Sequence, residues 1–338
     1  MSTRIKEIIV LAFIIVFCVV VYLGKVMGWM QGIEFPAWVS ATVLGIVGLS
    51  LLWILIRTIG GKLVERRVVF LYVGIAVSLP LFMTLSQKIT ISHEVQALYN
   101  ALVELPPGSK VLVSFDYDPA SAPELQPMAE SFIAECFKRD LKVIMMGLWP
   151  QGPQQANMAI EMALTKEGVP SEGIEYGIDY VNLGFQAGYE FVIQRMGSSF
   201  KSMFKTDYRG TPYDSIPLVK NVKNFSNIDY SFNLSAGFPG TVEWVQVAVD
   251  RYGLKLGGGN TAVQAPTVYP YLRSGQLIGL LGGMSGGAEF ELLTHTEAKA
   301  TKFMLSQSLA HIIVIAFIII GNVAFFRGGR KSALRGTE

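Results

Sequence analysis

The ten residues Lys110-Val111-Leu112-Val113-Ser114-Phe115-Asp116-Tyr117-Asp118-Pro119 limit the possible folds more than any other stretch. The run is apolar, rich in β-branched residues and lacks polar alternation. It is introduced by the turn-forming Pro106-Pro107-Gly108-Ser109 and closed by two carboxylates and a proline. That pattern predicts a strand buried on both faces, which is the situation of a strand inside a parallel sheet. An amphipathic helix is expected just before it, over residues 94–105, with Val95, Leu98 and Leu102 on one face.

The same strand-then-helix alternation continues. Ser121-Ala122-Pro123-Glu124 has the composition of a helix start. The helix it opens carries Met128, Phe132, Ile133, Cys136 and Phe137 at helical spacing. Strands are expected over residues 141–148, 178–183, 228–234 and 254–256, with a last apolar stretch over 277–281. Helices are expected over 154–166, 189–204 and 241–252. Five or six such units fit an open, doubly wound, Rossmann-like α/β sheet better than an eightfold barrel, and ligands of such sheets bind at the carboxyl ends of the strands. Residues 205–225 are polar and without a clear period, long enough to read as a functional loop or a contact arm.

On either side of this region the chain is apolar. Hydrophobic residues make up 51% of the whole and charged residues only 16%, a balance typical of membrane proteins. Uncharged runs at residues 8–24, 38–56, 68–85 and 305–326 each read as a transmembrane helix, three N-terminal and one C-terminal. No small-x-small cleavage pattern follows the first, so it reads as retained. Basic residues cluster at Arg4 and Lys6, between Arg57 and Arg67, and in the tail from Arg327. Positive charge marks the cytoplasmic side. The expectation is a multi-pass protein of the cell (inner or cytoplasmic) membrane with both termini cytoplasmic and the α/β domain extracytoplasmic. The domains expected are a three-helix membrane region (1–88), the α/β domain (89–304), a fourth span (305–326) and a basic tail (327–338). The lipid bilayer, a second copy or another membrane subunit are the expected partners.

A net charge of +2 without a basic stripe interleaved with aromatics argues against nucleic acid. Two cysteines and three histidines leave no disulfide framework, no zinc cluster and little for general acid–base work. No cofactor and no metal site are expected.

Asp116 and Asp118 form a D-x-D at the end of the first strand. It resembles the first motif of the haloacid-dehalogenase phosphatases, with Ala120 where that motif has threonine, and also the D-x-D of nucleotide-sugar glycosyltransferases. The resemblance implies a metal-dependent hydrolase or transferase. Read from the residues alone, the aspartates cap the turn and helix that follow. Gly283-Met284-Ser285-Gly286-Gly287 matches the G-x-S-x-G of a nucleophile elbow, but only His295 and His311 follow it, one ten residues on and the other within the fourth apolar run. The run from Tyr269 through Ser274 and Gly275 to Gly279 is similar to a segment of periplasmic substrate-binding proteins, which implies a Rossmann-like sheet and names no ligand. Leu256-Gly257-Gly258-Gly259-Asn260 lacks the order of a nucleotide loop.

Gly279, Gly283 and Gly287 repeat every four residues, as do Gly282 and Gly286. On a helix that face admits a close neighbour, and at a helix N-terminus its amides suit an anion. Together with Tyr208 and Tyr213 these glycines are the expected assembly surface. The functional expectation is a non-catalytic membrane protein whose α/β domain mediates assembly into a homo-oligomeric or multi-subunit complex, and which tolerates Asp116→Asn. One alternative is a small-ligand-binding domain using Asp116, Asp118, Trp149 and Gln186, and another is the D-x-D enzyme.

Overall fold

A computed structural model of the chain describes residues 37–59, 66–78, 89–170, 172–296 and 299–335. Lys88–Met304 forms one compact unit, and the remaining described residues belong to a second. Helices are numbered in chain order. In the second unit, α1 is Ala37–Ile59 and α2 is Arg66–Ser78.

The first unit opens with α3 (His93–Val103) and continues β1 (Lys110–Asp116), α4 (Ala122–Lys138), β2 (Lys142–Gly147), α5 (Gly152–Ala163) and β3 (Tyr180–Phe185). Then come α6 (Glu190–Ser198), α7 (Phe200–Met203), β4 (Tyr230–Ser235), α8 (Thr241–Trp244), α9 (Asp250–Tyr252) and β5 (Leu256–Asn260). The last elements are α10 (Ala265–Arg273), β6 (Gly279–Gly282) and α11 (Gly283–Thr294). The six strands form one parallel sheet in the order β3-β2-β1-β4-β5-β6. The chain starts in the middle, builds outward to one edge, then returns to the middle and builds outward to the other.

Both faces of the sheet are covered, which is why β1 has no polar alternation of the usual kind. Val111, Val113 and Phe115 pack with Leu98, Met128, Phe132 and Phe290 on one side. Leu112 packs with Ile144, Val192, Trp244 and Val268 on the other. Phe132 stacks on Phe232 with ring centroids 4.1 Å apart.

Tertiary packing overrides local reading in three places. Gly257, Gly258 and Gly259 lie within β5, not in a loop after it. A Cβ on Gly259 would sit 2.9 Å from both Phe232 and Leu234, and one on Gly257 would strike the Tyr230 hydroxyl. Glycine there makes room for large side chains of the neighbouring strand. The helix expected over 189–204 breaks at Ser199, whose extended backbone lets its hydroxyl accept a hydrogen bond from Ser202 N. Residues 245–249 widen into a π turn between α8 and α9.

The segment after α7 borders β3, an edge strand of the sheet. Tyr208 N donates to Asn182 O at 2.8 Å, so part of the unpaired edge, which would otherwise be a template for strand addition, is covered. At the other end of the unit, α11 fastens both termini. Glu289 accepts from Ser92 N (2.8 Å) and Ser92 Oγ (2.6 Å), and Glu291 accepts from Ala300 N (2.9 and 3.0 Å). Ala300 lies in the first turn of α12 (Lys299–Arg335).

The expected membrane architecture requires correction. Among the described residues no helix is long and apolar enough to cross a membrane. The run at 8–24 lies outside the described residues, as does the end of the run at 68–85. The described part of the third run lies in α2, of 13 residues. The long α12 carries Gln307, Ser308, His311 and Asn322 among its apolar residues. On the described residues, the expectation of four transmembrane helices, a multi-pass topology, an extracytoplasmic domain and a cell-membrane localisation is therefore not supported. What α1 and α12 do show is exposed apolar surface, at Ile46, Leu49, Trp53 and Ile56 and at Ile312, Ile315 and Ile319.

The regularly spaced glycines give a test of this packing. A Cβ at Gly279 would lie 2.6 Å from Glu94 O in the backbone of α3, whereas one at Gly282 would make an ordinary 3.4 Å contact with Ala265. Gly279→Ala is expected to lower unfolding free energy by about 2 kcal/mol or more through overpacking. Gly282→Ala should stay within about 0.5 kcal/mol of the parent. Urea titration of both variants measures the contrast.

Candidate functional site at the carboxyl ends of the strands

Strand order reverses between β1 and β4, so the place where an open α/β sheet usually takes a ligand lies beyond Asp116 and Ser235. The floor of this place is a buried polar seam. Ser114 and Asp116 alternate on one face of β1, and Ser231, Asn233 and Ser235 alternate on β4. The register sets Ser114 beside Asn233 and Asp116 beside Ser235.

Asp116 has no solvent exposure. Its Oδ1 accepts from Leu148 N at 2.7 Å, and its Oδ2 accepts from Asn233 Nδ2 (2.6 Å), Ser114 Oγ (2.9 Å) and Trp244 Nε1 (3.0 Å). These donors come from β1, the β2–α5 loop, β4 and α8. The chain of bonds runs on: Thr241 Oγ1 donates to Asn233 Oδ1 at 2.6 Å, and Asn260 Nδ2 donates to Thr241 Oγ1 at 2.9 Å. Burial raises the Asp116 carboxyl from its ordinary 3.8 to about 6, while the four hydrogen bonds pull the other way. Three of these bonds fall on Oδ2 and one on Oδ1, and all four donors belong to the fold.

Above this floor the loops close over one another. Trp149, after β2, donates its indole N–H to Pro239 O, after β4, at 2.9 Å. Its ring lies 3.6 Å from where a Cβ on Gly237 would be. The two loops thus meet over the end of β1. Asp118 is half-buried and accepts from Ser121 N at 3.2 Å, the local cap that its position before a helix favours. Gln186 is half-buried, and its backbone N–H donates to Gly147 O at 3.1 Å.

The outward surface of the closed loops carries exposed aromatic and apolar residues. Tyr189 and Phe238 are 53% and 60% exposed, with ring centroids 5.3 Å apart, and Val263 is 82% exposed. Pro150 and Gln151 after β2 and Ala187 after β3 are exposed, as is the acid Glu190 that follows Tyr189, and Asp118 is half-buried.

The other expected site residues are dispersed. Tyr213 is buried and its hydroxyl donates to Val222 O at 2.9 Å, whereas Tyr208 is exposed. Gly283 faces Ala262, Gly286 faces Leu281, and Gly287 faces Met128 and Ala300, so these glycines admit neighbours within the chain. Ser285 Oγ donates to Glu289 Oε1 at 3.2 Å. Among the described residues no three His, Cys, Asp or Glu side chains gather as a metal site. A 400 Å³ cleft lined by Leu105, Ser109, Asp229, Tyr230, Lys255 and Ile278 lies at the opposite, amino-terminal end of the sheet.

Sequence reasoning overlooked Asn233, Thr241, Trp244 and Asn260. The usable signal was the alternation Ser231, Asn233, Ser235 inside an otherwise apolar strand, since buried polar side chains must find partners. Tyr189 and Phe238 gave no signal, because no local pattern separates an exposed aromatic from a buried one. No protein-family model matches the chain, and neither a curated protein nor a solved structure matches it.

Asp116→Asn is not the harmless change a scaffold reading would allow. Every partner is a donor in the observed geometry, so an amide N–H₂ faces a donor in either orientation. At neutral pH the variant is expected to lose about 2 kcal/mol or more of unfolding free energy. The pH dependence has a definite sign. A carboxyl whose folded value lies above its unfolded value binds more protons in the folded state between about 4 and 6, so its contribution to stability declines as pH rises through that window. The stability gap between parent and variant should narrow from pH 4 to pH 7, as measured by denaturant titration at each pH.

Proposed function

We propose that this chain is a non-catalytic assembly protein that associates with further copies of itself through the strand-end surface. One observation carries the reading: the position where such a sheet would hold a ligand is closed by its own loops, and the closed surface displays Tyr189, Phe238 and Val263 to solvent. Exposed aromatics grouped over a packed base are what protein–protein contacts use. On this reading the partner is a second copy. A twofold contact brings the same patch against itself. Uncharged aromatics do not repel across such a contact, and the Gln151 amide both donates and accepts. The exposed apolar residues of α1 and α12 are further surface for a multi-subunit complex to cover.

A small-ligand-binding domain is the second reading. Strand order favours it, since the reversal between β1 and β4 is the usual ligand crevice. On this reading the Trp149 and Phe238 loops would have to separate. The D-x-D hydrolase has no comparable support, because Asp116 is fully buried and hydrogen-bonded to four donors of the fold.

The self-assembly reading expects the purified protein to have the mass of a discrete oligomer over a range of concentrations. Val263→Asp, at a site too exposed to affect the core, should place like charges together and raise the dissociation constant at least tenfold. A parent protein that remains monomeric at micromolar concentration rejects the reading. A thermal shift on adding a small molecule, abolished when Trp149 is changed to alanine, would favour the ligand-binding domain.

A further inference from the structure

The carboxyl ends of the strands are covered by loops, whereas the amino ends carry a cleft. There the last turn of α3 overhangs the starts of β4, β5 and β6 and leaves a volume of 400 Å³, within the size range of small-molecule sites. Ala101, Leu105, Ile278 and Tyr230 give it apolar walls. Glu104, Asp229 and Lys255 stand exposed around it. The strand starts are held firmly: Lys110 N donates to Asp229 Oδ2 at 2.8 Å, and Lys255 O accepts from Ser231 N at 2.8 Å. Among the described residues no salt bridge uses Glu104, Asp229 or Lys255.

Tyr230 is the group in this cleft that the fold leaves unexplained. It has no solvent exposure, its ring stacks on Phe132, and its hydroxyl has no hydrogen-bond partner. A buried hydroxyl left unpaired is costly and rare. Phenylalanine would fill the same space without that cost. Gly257 nonetheless makes room for the oxygen, since a Cβ there would strike it. Burial raises the phenol above its ordinary value, so the O–H stays a donor.

We propose that the cleft binds a small zwitterion with an apolar side chain, of the size of a free amino acid, to which the Tyr230 hydroxyl donates. The apolar part lies against Leu105 and Ile278. The ammonium faces Glu104 and Asp229, beside the last carbonyls of α3, where a helix favours positive charge. The carboxylate faces Lys255 and accepts from Tyr230. Leu98, whose Cδ1 lies 3.1 Å from where a Cβ on Gly257 would be, turns aside to admit it; rotamer changes of this kind are common on binding. The site is separate from the strand-end surface and does not rest on self-assembly.

The full-length protein is titrated with L-phenylalanine as the probe. Phenethylamine, which lacks the carboxylate, and hydrocinnamate, which lacks the ammonium, serve as controls. Calorimetry should show saturable binding of L-phenylalanine and at least tenfold weaker binding of both controls. Tyr230→Phe keeps the ring packing. Without probe it should melt at the parent temperature or a few degrees above it, and it should bind L-phenylalanine at least tenfold more weakly. Lys255→Gln, at an exposed position, should leave melting unchanged and weaken L-phenylalanine but not phenethylamine. No saturable binding at about 10 mM probe overturns the proposal. So does binding that both variants retain at full strength, including binding lost only in Trp149→Ala, which belongs to the carboxyl ends of the strands. A Tyr230→Phe protein that melts well below the parent has lost a hydrogen bond, and overturns the role of the hydroxyl.

Discussion

The α/β unit depends on one buried carboxylate. Asp116 ends the central strand with no solvent contact and draws donors from β1, β4, α8 and the loop after β2 onto two oxygens. Ionised, it is expensive to bury, and the four hydrogen bonds offset that cost only together. The group therefore specifies geometry: strands, helix and loop must arrive in register or the charge is left unpaired. Trp244 and Leu148 are placed by this requirement as much as by apolar packing.

The same interaction changes the meaning of the strand ends. In an open sheet, a carboxylate beside the strand-order reversal is a natural ligand contact. Here it faces inward, and Trp149 hydrogen-bonded to Pro239 O lies over it. What the surroundings receive is the outer side of the loops, with Tyr189 strained and exposed. In this structure the strand ends are covered by their own loops, and Tyr189 and Phe238 are exposed above them.

Glycine has an equally specific part. Gly257, Gly259 and Gly279 lie in the last two strands, where Tyr230, Phe232 and α3 come too close for a Cβ. Gly279 also begins the four-residue spacing that resembles a helix-packing motif in sequence, but its close neighbours are Glu94 and Leu98 of the same chain. Glu289 and Glu291 on α11 then hold Ser92 and Ala300, so the two ends of the unit are tied to one helix.

The sequence by itself determined the alternation of buried strands and covering helices. The continuous apolar runs at β1 and β2 and the helical spacing of Met128, Phe132 and Cys136 are local consequences of burial on both faces. It also marked Asp118 as a local cap. Only the tertiary structure decided the rest. That the glycines of β5 form a strand depends on Tyr230 and Phe232 reaching across from a neighbouring strand. That Asp116 faces inward depends on donors up to 128 residues away. Hydropathy led to the expectation of membrane spans, whereas among the described residues no helix is long and apolar enough to cross a membrane. Periodicity records which face of an element is apolar, but what that face meets is fixed by contacts between distant parts of the chain.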